Sequence, residues 1–95
     1  MSLRLVLPLA GLALLAACAM PPEGVTPQDL AAFDEAVASI GCDLVGESDY
    51  LPVELQTGLT REQVTQTAAF RVASEEAVRL ENGGIRLVNG ACAPA

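Results

Sequence analysis

The sequence predicts a small α+β domain, built from two to three helices followed by a C-terminal β-hairpin. Three observations carry that expectation. Thr26 and Thr60 each stand directly ahead of a stretch whose apolar residues recur at helical spacing. An Asn82-Gly83 pair divides a short alternating run near the C-terminus. The length, 95 residues, allows one such domain and no more.

The first helix is predicted over 27–40. Thr26 caps it, Pro27 takes its first position, Asp29 lies near its positive end and Gly41 stops it. Leu30, Phe33, Val37 and Ile40 fall on one stripe. Cys42 follows the stop, and residues 43–48 read as a loop around Gly46. A short second helix is expected over 49–57, capped by Asp49 and ended by Gly58, with Leu51 and Leu55 sharing a face. Pro52 fits it only in the first turn.

The third start signal is complete. Thr60 and Gln63 form a capping box, and Leu59 can staple to Val64 across the helix entry. The helix is predicted over 61–70. Phe70 lies off the Val64–Ala68 face, so it either packs under the next element or marks the helix end. The hairpin spans 78–88. A two-residue Asn82-Gly83 turn pairs Leu80 with Ile85 and Val78 with Leu87 on one face. The same register sets Arg79 opposite Arg86 on the outer face, where like charges repel. That pair is a candidate partner contact for a carboxylate or phosphate; neutralisation by Glu75, Glu76 or Glu81 is the plainer expectation.

The leader carries the most functional information. Arg4 is its one charge, and Leu5 to Leu15 is apolar apart from Pro8 and Gly11. Eleven residues rise about 16 Å as a helix, short of a bilayer core of about 30 Å. A basic start, a short apolar run and then small residues make an export signal. The run ends Leu15-Ala16-Ala17-Cys18, which resembles the lipobox of bacterial lipoprotein precursors. The resemblance implies cleavage before Cys18, a diacylglycerol on its thiol, acylation of the new amine and anchorage in the lipid bilayer. Ala19 resembles the residue that follows the cysteine in lipoproteins sent to the outer membrane. The resemblance covers the leader alone. Ala17-Cys18-Ala19 also satisfies the small-x-small rule of ordinary cleavage, which would release a soluble periplasmic protein starting at Met20. The expected organisation is a signal peptide at 1–17, a lipidated cysteine and proline-rich tether at 18–25, the domain at 26–92 and a tail at 93–95.

Export sets the cysteine chemistry. Either cleavage removes Cys18 from disulfide exchange and leaves Cys42 and Cys92, which should pair in an oxidising periplasm. No C-x-x-C motif supports a redox role.

Composition excludes several functions. The chain has no Lys, His or Trp, so it offers no imidazole base or ligand, no Schiff-base lysine and no P-loop lysine. The chain from Cys18 onward carries 12 acids against four Arg, a formal charge of −8. That argues against nucleic acid or an anionic lipid surface as partner. Asp43, Glu47, Asp49 and Glu54 fall at positions 1, 5, 7 and 12 of an EF-hand frame. Val45 fails as a ligand there, and Ser48 stands where the turn needs Gly. No metal or cofactor is therefore expected. Asp34-Glu35 and Glu75-Glu76 are adjacent carboxylates that point apart, and Ser39, Ser48 and Ser74 have no base to activate them, so no enzyme is expected. Residues 23–54 hold eight acids and no base. That segment suits either solubility or a basic partner. The sequence thus reads as a small acidic envelope protein, facing the periplasm, that acts by binding an envelope protein it does not identify.

Overall fold

The computed structural model describes residues 20–95. Helix α1, Pro27–Ser39, starts as its residues dictate. The Thr26 hydroxyl accepts the Asp29 N–H at 3.0 Å, and the Asp29 carboxylate accepts the Thr26 N–H at 3.0 Å, so α1 has a full capping box. Phe33, Ala36 and Val37 are buried, with Leu30 and Ile40 packed at the edge of the same stripe. The chain then reverses through Gly41 and Cys42, both at positive φ. The Cys42 N–H donates to the Val37 carbonyl at 2.9 Å.

Residues 43–48 are not simply a loop. Asp43–Leu44 form a short strand, β1. Helix α2 then runs Glu47–Thr57, two residues earlier than expected. Gly46 takes the cap position. Asp49 sits inside the first turn, where its carboxylate accepts the N–H groups of Val45 at 2.9 Å and Gly46 at 3.4 Å. The earlier start moves Pro52 into the second turn. It also turns the helix so that Val53 is buried with Tyr50 beside it, while Leu51 and Leu55 are 48% and 84% exposed. Leu51 and Leu55, which the sequence places on one face, thus both face solvent.

Helix α3 spans Arg61–Ala73, three residues beyond the expected end. Its capping box is as predicted: Thr60 accepts from the Gln63 N–H at 3.1 Å and Gln63 accepts from the Thr60 N–H at 3.0 Å. Leu59 and Val64 are both buried at this entry. Phe70 continues the helix and is half-buried. The inward stripe is Val64, Thr67, Ala68 and Arg71.

Strands β2, Ala77–Arg79, and β3, Ile85–Leu87, complete an antiparallel sheet of order β1-β3-β2. The register differs from the expected one by a residue. Ala77 pairs with Leu87, Val78 with Arg86 and Arg79 with Ile85, while β1 sets Asp43 against Arg86 and Leu44 against Ile85. The turn is a three-residue loop, Glu81-Asn82-Gly83. The Gly83 N–H donates to the Leu80 carbonyl at 3.2 Å and the Leu80 N–H to the Gly84 carbonyl at 2.8 Å. Gly83 has φ +92° and Asn82 has no positive φ, so this is not the primed two-residue turn, which requires both. The Asn82 side chain instead accepts the Gly84 N–H at 3.0 Å.

The slip has a physical cause. Val88 donates to the Glu76 carbonyl at 2.9 Å, so Glu76 fixes the start of the pairing. The Glu76 carboxylate is itself held by α3 and by Asn89, as described below. Inward facing Val78 and Leu80 would gain apolar burial, but only by moving Glu76 out of that arrangement. Ala77, Ile85 and Leu87 fill the core face instead, and Val78 is 46% exposed. Gly84 is required at its place, because a Cβ there would lie 2.6 Å from the Leu44 carbonyl oxygen.

A 3₁₀ turn at Gly90–Cys92 brings Cys92 to Cys42, with Cα atoms 5.8 Å apart, and the two form the expected disulfide. At the other end, Val25 is buried in the core and its N–H donates to the Pro22 carbonyl at 3.2 Å. The folded unit thus begins near Pro22, inside the stretch that reads as tether in the sequence.

Candidate functional site

The most heavily built polar cluster joins four elements. Arg71 projects from the buried stripe of α3 and is 8% exposed. Its Nε and Nη2 donate to the two carboxylate oxygens of Asp34 on α1, at 3.0 and 2.6 Å. Its Nη1 donates to Glu76 Oε2 at 2.7 Å. The Ser74 hydroxyl lies 3.0 Å from the same oxygen. The Asn89 amide donates to Glu76 Oε1 at 3.1 Å and Asp34 Oδ2 at 3.2 Å, bridging the two acids from beyond β3. The Asn89 hydrogen bond, then those from Ser74 and Arg71 with the guanidinium charge, hold the Glu76 carboxyl below its usual range against the opposing effect of burial.

A pocket of about 290 Å³ opens beside this cluster, lined in part by Glu35, Ala38 and Ala91. Its carboxylates would suit a cationic ligand. Arg71 already takes both of the acids in the cluster, bidentate to one. A carboxylate held ionised by a guanidinium is a poor general acid, and the Ser74 hydroxyl beside it also lies within reach of the Phe70 and Arg71 carbonyls, at 3.0 and 3.3 Å. The cluster is the polar centre of the fold: it joins α1 to α3 and both to the start of the hairpin.

The residues singled out in the sequence are dispersed. Cys18 lies outside the described residues. Arg79 and Arg86 are not opposite each other. Arg86 lies on the outer face of the sheet, where its Nε and Nη2 donate to the Asp43 carboxylate at 2.7 and 3.0 Å. That contact lowers the Asp43 pKa and raises that of Arg86. Arg79 sits opposite Ile85, on the other face by the pleat, and is exposed. Among the described residues it makes no salt bridge. The neutralising partner of Arg86 is thus β1 and not a hairpin glutamate, and the two guanidinium groups do not form one anion site.

The acids of the EF-hand frame are also separated. Asp43 holds Arg86 and Asp49 holds the start of α2. Glu47 and Glu54 both accept from Arg61, Glu47 through two hydrogen bonds at 2.8 and 2.9 Å. The Glu47 pKa falls through those bonds, and the hydrogen bonds to Glu47 and Glu54 raise that of Arg61. The same guanidinium lies 4.8 Å from the Tyr50 ring centroid. Among the described residues no cluster of three or more acids or cysteines could hold a metal ion.

Sequence reasoning missed Arg71, although a signal was present. Positions 64, 67, 68 and 71 share one helical face, and a guanidinium on a buried stripe requires a buried acid. A second concavity went unread. It is an open groove of about 520 Å³ between the N-terminal segment and the outer side of α3, lined by Met20, Pro22, Glu23, Gln66, Phe70 and the alanines Ala69 and Ala73.

Comparison with family models, with curated proteins and with solved structures gives no match for this chain. The functional reading therefore rests on its own residues.

Proposed function

We propose that this chain is a small lipid-anchored protein of the bacterial envelope, held through acylated Cys18 and acting by binding another envelope protein. The observation that carries the reading is the tetrad Leu15-Ala16-Ala17-Cys18 at the end of a short apolar run. Two features support it. Cys42 and Cys92 form the disulfide that an oxidising compartment permits. The polar cluster spends its charged groups on one another, which suits a scaffold better than a catalyst. By the identity of Ala19, the outer membrane is the expected address, with the domain facing the periplasm. The role is accessory: assembly, stabilisation or inhibition of the partner.

A second reading has its own observation. Ala17-Cys18-Ala19 permits ordinary cleavage, which would yield a soluble periplasmic binder or inhibitor starting at Met20. Intact mass spectrometry of protein from the membrane and periplasmic fractions separates the two. A chain beginning at Cys18 with added acyl mass is the expected result. An unmodified chain beginning at Met20 in the soluble fraction would replace the anchor with release. A chain that keeps residues 1–17 would end both readings.

A further inference from the structure

The groove on the outer side of α3 lies at the point where the chain leaves the fold. Val25 is buried and Pro22 is half-buried, so the folded unit starts four residues after Cys18. Four residues fully extended span at most about 14 Å, and the two from Cys18 to Met20 about 7 Å. A lipid on Cys18 therefore cannot hold this domain away from the bilayer. Whatever surface surrounds Met20 must lie against the membrane.

That surface is apolar where it meets the chain. Met20 is 70% exposed, and with the half-buried Phe70 and the exposed Ala69 and Ala73 it forms the wall and floor of the groove. Glu23 and Gln66 are its polar members. Among the described residues no cation lines it, and the Arg71 guanidinium, 5.7 Å from the Phe70 ring centroid, is buried and paired with Asp34 and Glu76, so the groove is suited to zwitterionic and not to anionic lipid. Phe, like Leu and Trp, suits the apolar face of a helix that lies in the interface plane. We propose that this face rests in the bilayer interface, with the Phe70 ring set among the lipid headgroups and the adjoining ends of the acyl chains. The inference depends on the lipid anchor proposed above. It adds an orientation: α3 faces the membrane with Met20 and Phe70, and the outer face of the sheet, bearing Val78, Asp43 and Arg86, faces the periplasm and any partner.

The chain has no Trp, so one introduced Trp reports a single place. The test uses the full lipidated protein, purified from membranes, checked by intact mass and reconstituted into phosphatidylcholine vesicles. In F70W, blue-shifted emission and loss of most of the fluorescence to acyl-brominated phosphatidylcholine are expected. In V78W, emission typical of water and little quenching are expected. A73W, at the exposed end of α3, carries the test if F70W does not fold, and should behave as F70W does. Equal, water-like emission from the α3 and β2 reporters in protein that carries its acyl chains would overturn the orientation and leave the anchor standing. A blue shift seen in native membranes but absent from pure lipid vesicles would overturn it in favour of a protein partner on that face. A mass without acyl chains would remove both the anchor and the orientation.

Discussion

Replacing Arg71 with Met removes the charge at the centre of the fold while keeping most of the side-chain stem. Arg71 makes three hydrogen bonds to carboxylates, at 2.6 to 3.0 Å. Breaking a buried ion pair by removing one partner costs about 3–5 kcal/mol, chiefly because the other charge stays buried. Here the acids are not fully enclosed, since the Asp34 and Glu76 side chains are 25% and 38% exposed and water can reach them. The cost should therefore lie at the lower end, about 3 kcal/mol. For a domain of this size, about 4–8 °C is lost per kcal/mol, so R71M should melt about 12–24 °C below the wild type. The assay is thermal or urea unfolding at pH 7 with the disulfide intact. The double variant R71M/D34L is the informative partner. It removes the acid that R71M leaves stranded, while Glu76 keeps Ser74 and Asn89, so it should regain at least half of the loss. A cost below about 1 kcal/mol for R71M, or a double variant that is worse than the sum of its parts, would refute the view that a stranded buried charge sets the penalty.

Replacing Cys42 and Cys92 together with Ser should cost about 4 kcal/mol for a bridge spanning 50 residues, read as a fall in the urea midpoint relative to the oxidised wild type. Stability should be present above about pH 4.5 and lost as the pH falls. Glu76, Glu47 and Asp43 have folded pKa values below their ordinary 4.5, 4.5 and 3.8, so acid first protonates them in the unfolded chain and then, lower still, in the fold. E76Q should flatten that slope in acid titrations followed by circular dichroism, and an unchanged slope would exclude Glu76 as its source. In the hairpin, G84A should be the costlier of two neighbouring changes, because its Cβ meets the backbone of Leu44 and Val45 at 2.6 and 2.8 Å. G83A meets no atom and should lose only about 1 kcal/mol to its left-handed φ, as parallel melts would show. A reversed order would restore the two-residue turn.

Local signals were legible in the sequence and nonlocal decisions were not. Helices α1 and α3 begin where Thr26 and Thr60 place them because a capping box is completed within four residues. The start of α2 was misread because Asp49 can serve at the cap or at the third position, and only the pairing of β1 with β3 selects the latter. Two-residue β1 is too short to show an alternating pattern at all. The hairpin register looked secure, since Val78, Leu80, Ile85 and Leu87 alternate correctly around Asn82-Gly83. The register differs because Glu76, which precedes the alternating run, fixes the start of the pairing. Its carboxylate meets Arg71 from α3 and Asn89 from beyond β3, contacts that no strand pattern contains.

The same lesson applies to charge. Residues 23–54 are purely acidic in the sequence, which suggests a negative face for a basic partner. Folding spends most of that charge. Asp29 and Asp49 occupy helix starts, while Asp34, Asp43, Glu47 and Glu54 are paired to guanidinium groups contributed by residues 61, 71 and 86. Of the eight acids only Glu23 and Glu35 have neither duty among the described residues. Three of the four Arg beyond the leader are consumed in the same contacts, and among the described residues Arg79 is left exposed with no salt bridge. A partner that approaches this domain therefore meets acids fixed in place by caps and ion pairs, in a chain that keeps its net negative charge. Among the described residues, the features outside those contacts include Glu23 and Glu35, the exposed Leu51 and Leu55 on α2, the Arg79 guanidinium on β2 and the apolar groove beside Phe70. Charge reversal across residues 23–54 should accordingly harm folding before it harms binding.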